Sequence, residues 1–127
     1  MNKYKGEKVH IEVSGIPPHK DVFRSIRNKT HPAHNRFLAL RDAAKKAMAG
    51  VPYYKGQVGI KFHYVRKDGE KPIWRYLSGI CDTLDGSHGF TFHWVPVVFL
   101  DDCQVVHITA TQEHGEKDKY FLEIEFL

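Results

Sequence analysis

The sequence lacks the features that would mark an exported, membrane-spanning or disulfide-dependent protein. No apolar run approaches the roughly 18 residues that a transmembrane helix requires, and no apolar signal core follows the polar start at residues 1–6. Only two cysteines, Cys81 and Cys103, occur in the 127 residues. Two cysteines without a secretion signal are more often reduced thiols. These absences favour a cytoplasmic protein.

Several catalytic and metal-binding motifs are absent as well. The sequence has no glycine-rich phosphate loop, no serine or cysteine nucleophile motif, and neither Cys-x-x-Cys nor His-Glu-x-x-His spacing. The histidines include His31 and His34, and also His88 and His93. Without zinc-motif spacing, most of the histidines are interpreted as surface or strand-face residues, and zinc is a minor alternative.

What the chain does have is enough apolar and aromatic residues for one folded domain, with charge distributed unevenly. Hydrophobic residues make up 42% and aromatic residues 13% of the chain. Residues 1–50 carry eleven Lys and Arg against four Asp and Glu, whereas residues 51–127 carry eight against eleven. A basic half and an acidic half suit a protein that contacts phosphates with cations and holds a metal with carboxylates. Random placement of charges explains the same asymmetry.

Hydrophobic periodicity predicts an α+β domain spanning residues 1–127, with one mixed sheet and two helices packed on one face. Asn35 is the predicted cap of the first helix, which Gly50 ends. Gly79, inside the second predicted helix, indicates close packing. A polar, basic loop is predicted at 19–34 and a partly buried connection at 85–96. The predicted helices cover 36–49 and 73–84, and the predicted strands cover 9–13, 58–64, 97–99, 104–111 and 119–126.

Two acidic segments flank the connection. Asp82 and Asp85 lie at the end of the second predicted helix, and Asp101 and Asp102 lie beside a strand-like segment. Neighbouring carboxylates at the edge of apolar structure repel each other and lose solvation, and a divalent cation would compensate them. A solvated turn is the alternative, because Asp-Asp is common in turns. Adjacent strand residues point oppositely, so we expect Asp102 to face Asp82.

The two acidic segments carry a family resemblance. Asp82-Thr83-Leu84-Asp85-Gly86 and Asp101-Asp102-Cys103-Gln104-Val105 resemble the Asp-Ala-Leu segment with a following Gly, and the Asp-Asp-x-Gln-Val segment, of the RusA family of Holliday-junction resolvases. The order of elements, beginning with a strand that ends in Gly15-Ile16-Pro17-Pro18, follows the family over nearly the whole chain. Members are small homodimeric, magnesium-dependent endonucleases that cut branched DNA and are often encoded by prophages.

The resemblance implies a RusA-like endonuclease that hydrolyses phosphodiesters of Holliday junctions in recombination and repair. It places Asp101, Asp102 and Asp82 at the catalytic and metal-binding positions, with Mg²⁺ or Mn²⁺ as the cofactor, and it implies a homodimer. The basic first half supplies the expected DNA-binding residues, which are Lys20, Arg24, Arg27, Lys29, Arg41 and Lys45.

The chain departs from the family just before Asp82. The family pattern is Asp-x-Asp-Asn-x-x-Lys-x-x-x-Asp, and the first four specified positions are occupied here by Pro72, Trp74, Arg75 and Ser78. Two metal-binding carboxylates and the lysine are therefore missing. We expect any cleavage to be weak or absent compared with that of a complete site.

Three interpretations of the missing carboxylates remain open. Asp68 and Glu70 keep the spacing of the missing pair but lie four residues early. Asp85, three residues after Asp82, would rebuild the site from the other end. Alternatively the site is inactive, and the scaffold serves as a non-catalytic module that binds DNA or a partner. A small α+β protein unrelated to the family is a further possibility.

Overall fold

Over the residues that the structure describes, the protein forms a four-stranded sheet with two helices, an α+β fold as predicted. The computed structural model describes residues 5–20, 25–85 and 96–127. A single turn of 3₁₀ helix, Asp102–Gln104, precedes the third strand. In chain order the elements are β1 (Lys8–Ser14), α1 (His34–Met48), β2 (Val58–Arg66), α2 (Ile73–Leu84), β3 (Val105–His114) and β4 (Lys119–Phe126).

The sheet order, β1-β4-β2-β3, determines where α2 ends. β4 pairs antiparallel with both β1 and β2, whereas β2 and β3 are parallel. Parallel neighbours require a crossover connection, and α2 lies in the segment that joins β2 to β3. Val105 at the start of β3 pairs with Val58 at the start of β2. The connection from α2 to β3 therefore leads to the end of the sheet at which β2 and β3 both begin.

One face of the sheet is buried because apolar residues alternate along its strands. β1 and β4 bury every second residue, and β2 does so after Gly59. The core cluster joins these side chains to the apolar residues of both helices, including Leu40, Ala44, Tyr76, Ile80 and Leu84. β3 is less covered, and Val106 and Ile108 are about half exposed. Neither described helix is long and apolar enough to cross a membrane.

The turn between β2 and α2 is held by the Asp118 carboxylate. This carboxylate accepts hydrogen bonds from the backbone N–H groups of Lys67 at 2.9 Å and Asp68 at 3.0 Å, and from the Tyr64 hydroxyl at 2.5 Å. Burial raises the pKa of Asp118, but these hydrogen bonds outweigh burial and lower it. The turn thereby fixes where α2 begins, at the opposite end of the helix from Asp82.

The start of α1 differs from the prediction. The helix begins at His34 with Ala33 at the cap position, and no side chain caps it, so the prediction of an Asn35 cap is wrong. Nδ1 of His34 instead lies 2.8 Å from the Ile26 carbonyl oxygen, and the Ala33 N–H donates to Nδ1 of His31 at 2.9 Å. Both imidazoles are buried. Ile26 is also buried, so the predicted polar loop is partly interior.

The segment before the Asp pair also differs from the prediction. Residues 97–99 do not form a strand, and Phe99 makes only an isolated parallel bridge with Tyr54. The N–H groups of Val97 and Val98 both donate to the Leu84 carbonyl, at 3.2 and 3.1 Å. These hydrogen bonds satisfy the last carbonyl of α2, and the apolar side chains of residues 97–99 pack in the core. The predicted partly buried connection falls mostly on residues 86–95, outside the described ranges.

Candidate metal centre

Three carboxylates meet where α2 ends and the 3₁₀ turn begins. Asp82 belongs to the last turn of α2, Asp85 caps its end, and Asp102 lies in the 3₁₀ turn. One oxygen from each lies within 4.8 Å of the others. The order of the elements brings Asp82 and Asp102 together as the sequence predicted, and Asp85 is the third member. We call these three residues the acidic cluster.

The two adjacent aspartates have different surroundings. The Asp101 side chain accepts a hydrogen bond from the Cys103 N–H at 2.8 Å and so caps the 3₁₀ turn. Asp102 is grouped with Asp82 as expected, but it is exposed rather than directed inward. Asp101 and Asp102 lie in a turn rather than in a strand. A turn was the alternative interpretation of the Asp-Asp sequence. A second group within 4.8 Å contains Asp101, Asp102 and the exposed Cys103.

Gln104 fixes the turn that carries Asp102. Its side-chain oxygen accepts hydrogen bonds from the N–H groups of Leu100 at 2.8 Å and Asp101 at 2.9 Å. Its side-chain nitrogen donates to the carbonyls of Tyr54 at 2.9 Å and Gly56 at 2.7 Å. The amide therefore uses both donors and both lone pairs, which joins the 3₁₀ turn to the segment before β2.

Arg27 pairs with the most buried carboxylate of the acidic cluster. Its guanidinium donates to Oδ1 of Asp85 at 2.6 Å and to the backbone carbonyl of Asp82 at 2.7 Å. Asp85 is only 2% exposed. Burial raises the pKa of Asp85, Arg27 opposes that rise, and the charges of Asp82 and Asp102 add to it. A cationic side chain thus compensates part of the cluster's negative charge.

A cavity of about 220 Å³ opens beside Asp82 and Asp102. Nζ of Lys20 lies 4.0 Å from Oδ2 of Asp82, and more than half of the Lys20 side chain is exposed. Burial, and then the charge of Asp85, raises the pKa of Cys81 to about 12, so its thiol is neutral at physiological pH. The remaining lining residues are Leu77, Ser78, Val105 and Ile108.

The proposed substitutes Asp68 and Glu70 are not part of the site. They lie in the turn before α2, and neither belongs to a carboxylate group found in the described ranges. The structure places them away from the acidic cluster, because this turn lies at the opposite end of α2 from Asp82. Arg75 is not among the residues that line the cavity. Its guanidinium lies 5.9 Å from the centre of the Trp74 ring. Ser78 lines the cavity and donates to the Trp74 carbonyl.

The structure also corrects the expected DNA-binding set. Arg41 is 4% exposed and packs over the Phe37 ring, and burial followed by the charge of Arg27 lowers its pKa. Arg27 is paired with Asp85. Neither guanidinium is therefore presented to solvent as the sequence suggested, since a surface role needs an exposed cation. Lys20, Lys29 and Lys45 are exposed, and Arg24 lies outside the described residues.

The donor set fits a hard divalent cation. Carboxylate oxygens are the ligands that Mg²⁺ and Mn²⁺ prefer, and Mg²⁺ is commonly bound through one or two carboxylates while it retains several waters. Asp82 and Asp102 supply two such carboxylates at an open cavity. The missing family carboxylates therefore do not by themselves exclude an ion here.

Sequence reasoning missed the two contacts that organise this site. Arg27 and Asp85 are 58 residues apart, and the carbonyls that Gln104 contacts are 48 and 50 residues away. No local pattern indicates such pairs. Comparisons of the chain with protein-family models and with curated proteins found no match.

Proposed function

We propose that the protein is a divalent-cation-dependent endonuclease of the RusA type that acts on branched DNA. The observation that carries this proposal is the meeting of Asp82, Asp85 and Asp102 within 4.8 Å beside a cavity that Lys20 also lines. Phosphodiester hydrolysis needs carboxylates that hold a metal ion and a basic side chain beside them. Lys20 can bind a phosphate that the carboxylates alone would repel.

In this proposal each residue has a defined task. Asp82 and Asp102 would hold Mg²⁺ or Mn²⁺, which when bound would activate water and neutralise charge on the phosphate. Lys20 contacts a phosphate oxygen at the mouth of the cavity. Leu77 and Ile108 contribute to the apolar part of the cavity lining. Gln104 keeps Asp102 opposite Asp82.

The DNA-contacting surface and the assembly belong to the same proposal. Lys29 and Lys45 are exposed, and each contact with a phosphate releases counterions. Binding to DNA should therefore weaken steeply as salt increases. The homodimer is proposed from the family resemblance.

A non-catalytic DNA-binding module is the second candidate, and one observation favours it. Arg27 already donates to Asp85 at 2.6 Å, so one of the three carboxylates is neutralised without a metal. A site that has lost its ion would be stable in this form. In that case the protein binds junctions but does not cut them.

Cleavage of a four-way DNA junction distinguishes the two candidates. With Mg²⁺ or Mn²⁺, we expect the wild-type protein to introduce paired nicks and Asp102→Asn to lose about 100-fold or more of this activity, since it loses a charged ligand of the ion. Asp42→Asn is the matched control, because Asp42 is exposed on α1 and pairs with Lys46.

Two outcomes would contradict the endonuclease. The first is an absence of cutting by wild type while junction binding stays intact and salt-dependent, which supports the DNA-binding module. The second is equal cutting by wild type and Asp102→Asn, which would place the chemistry outside the acidic cluster.

A further inference from the structure

Arg27 is the interior cation of the acidic cluster. Its guanidinium contacts two parts of the cluster at once, the Asp85 carboxylate at 2.6 Å and the Asp82 backbone carbonyl at 2.7 Å. The Arg27 side chain is 14% exposed and the Asp85 side chain 2%. Breaking such a buried ion pair is costly, because loss of either partner leaves the other charged group uncompensated in the interior.

Lys20 stands in contrast to Arg27. Its ammonium is 4.0 Å from the Asp82 carboxylate, and 59% of its side chain is exposed. An exposed ion pair at this distance is weak and screened by water, so Lys20 can move to a phosphate at little cost. Arg27, in contrast, is enclosed between the loop that carries it and the end of α2. Lys20 and Arg27 therefore differ in whether an incoming ion can displace them.

We propose that Arg27 is a positioning residue that keeps Asp85 in an ion pair, so that a divalent cation is bound by Asp82 and Asp102 alone. This inference rests on the proposed function and deepens it, because it names the ligands of the ion and the residue that determines them. Arg27 also donates to the Asp82 backbone carbonyl, so its guanidinium lies against the end of α2 beside the ion site. By pairing with Asp85, Arg27 prevents a third carboxylate from binding the same ion.

The inference predicts that removal of Arg27 strengthens metal binding. Arg27→Gln deletes a positive charge next to the ion site and frees Asp85 to become a third ligand. We expect Mn²⁺, measured by calorimetric titration, to bind this variant at least about tenfold more tightly than wild type. We also expect Mn²⁺ to raise its unfolding temperature by more than it raises that of the wild type, since the ion replaces the lost cation.

A matched control and a double variant complete the test. Lys29→Gln removes a charge from the same loop at an exposed position, and its Mn²⁺ affinity should stay within about twofold of wild type because surface charge is screened. Arg27→Gln combined with Asp85→Asn keeps the net charge of the site and leaves no lone buried charge. This double variant should retain wild-type Mn²⁺ affinity, because Asp85 is not a ligand in the wild type.

Three outcomes would overturn the inference. If Arg27→Gln bound Mn²⁺ with wild-type affinity, the ion pair with Arg27 would not be what prevents Asp85 from binding the ion. A loss of about tenfold or more in the double variant would show that Asp85 is itself a ligand, and this measurement stands even if Arg27→Gln does not fold. Absence of Mn²⁺ binding by wild type and all variants would overturn the proposed endonuclease together with this inference, whereas the first two outcomes leave the endonuclease standing.

Discussion

Replacement of Gly79 by alanine should destabilise the protein by about 2–3 kcal/mol, although alanine is the better helix former by about 1 kcal/mol. Gly79 lies inside α2, where the chain at Pro18 and His19 crosses the helix. A methyl group at this position would lie 2.5 Å from the Pro18 carbonyl carbon and 2.7 Å from the His19 Cα. Both atoms belong to the backbone and cannot rotate away, so the helix and the crossing segment must separate.

Chemical denaturation of Gly79→Ala measures this effect, with Gly59→Ala as the matched control. A methyl group on Gly59 would meet the His107 side chain at 3.6 Å, which is an ordinary contact. We expect only the Gly79 variant to lose stability. The same displacement should move Lys20, the next residue in the crossing segment, away from the cavity and weaken DNA binding. Equal stabilities of the two variants would contradict the close packing of residues 17–19 on α2.

Replacement of Gln104 by glutamate should impair both stability and metal binding. A carboxylate accepts hydrogen bonds but cannot donate them, so the carbonyls of Tyr54 and Gly56 would lose their donor and face negative charge. Each unsatisfied group costs about 1–3 kcal/mol where it is shielded from water. The turn that carries Asp102 would then separate from the segment before β2. We expect a loss of about 2–4 kcal/mol in the free energy of unfolding and of at least about tenfold in Mn²⁺ affinity.

Gln57→Glu is the control for this change, because it makes the same chemical substitution at an exposed position. Denaturation and Mn²⁺ titration of the two variants should separate them clearly. If Gln104→Glu behaved like Gln57→Glu in both measurements, the 3₁₀ turn would not depend on the Gln104 amide.

The elements that sequence predicted well are those whose burial is set by a regular period. α2 begins and ends at the predicted residues, and β2 and β4 alternate as expected because one face of the sheet is the core. The failures lie where tertiary hydrogen bonds decide the backbone. Asn35 is a good cap by type, but the start of α1 is set by the contact between His34 and the Ile26 carbonyl. Val97 and Val98 donate to the last carbonyl of α2 and Phe99 makes only an isolated bridge, so residues 97–99 do not form a strand.

The candidate site was predictable only in its carboxylates. Asp82 and Asp102 could be grouped because they flank one connection between consecutive elements. The role of Arg27 could not, because its pairing with Asp85 depends on how a loop folds against a helix 58 residues away. The charge of Arg27 alone predicts a place on the DNA-binding surface. Burial distinguishes an interior cation from a surface one, and composition does not report burial.

The most direct test of the account is the anomalous scattering of Mn²⁺ in crystals of the wild-type protein. The account predicts a peak bonded to carboxylate oxygens of Asp82 and Asp102, with Arg27 still paired to Asp85. Absence of a peak at the acidic cluster under saturating Mn²⁺, or an ion held only by other residues, would contradict the proposal that this cluster is a metal centre.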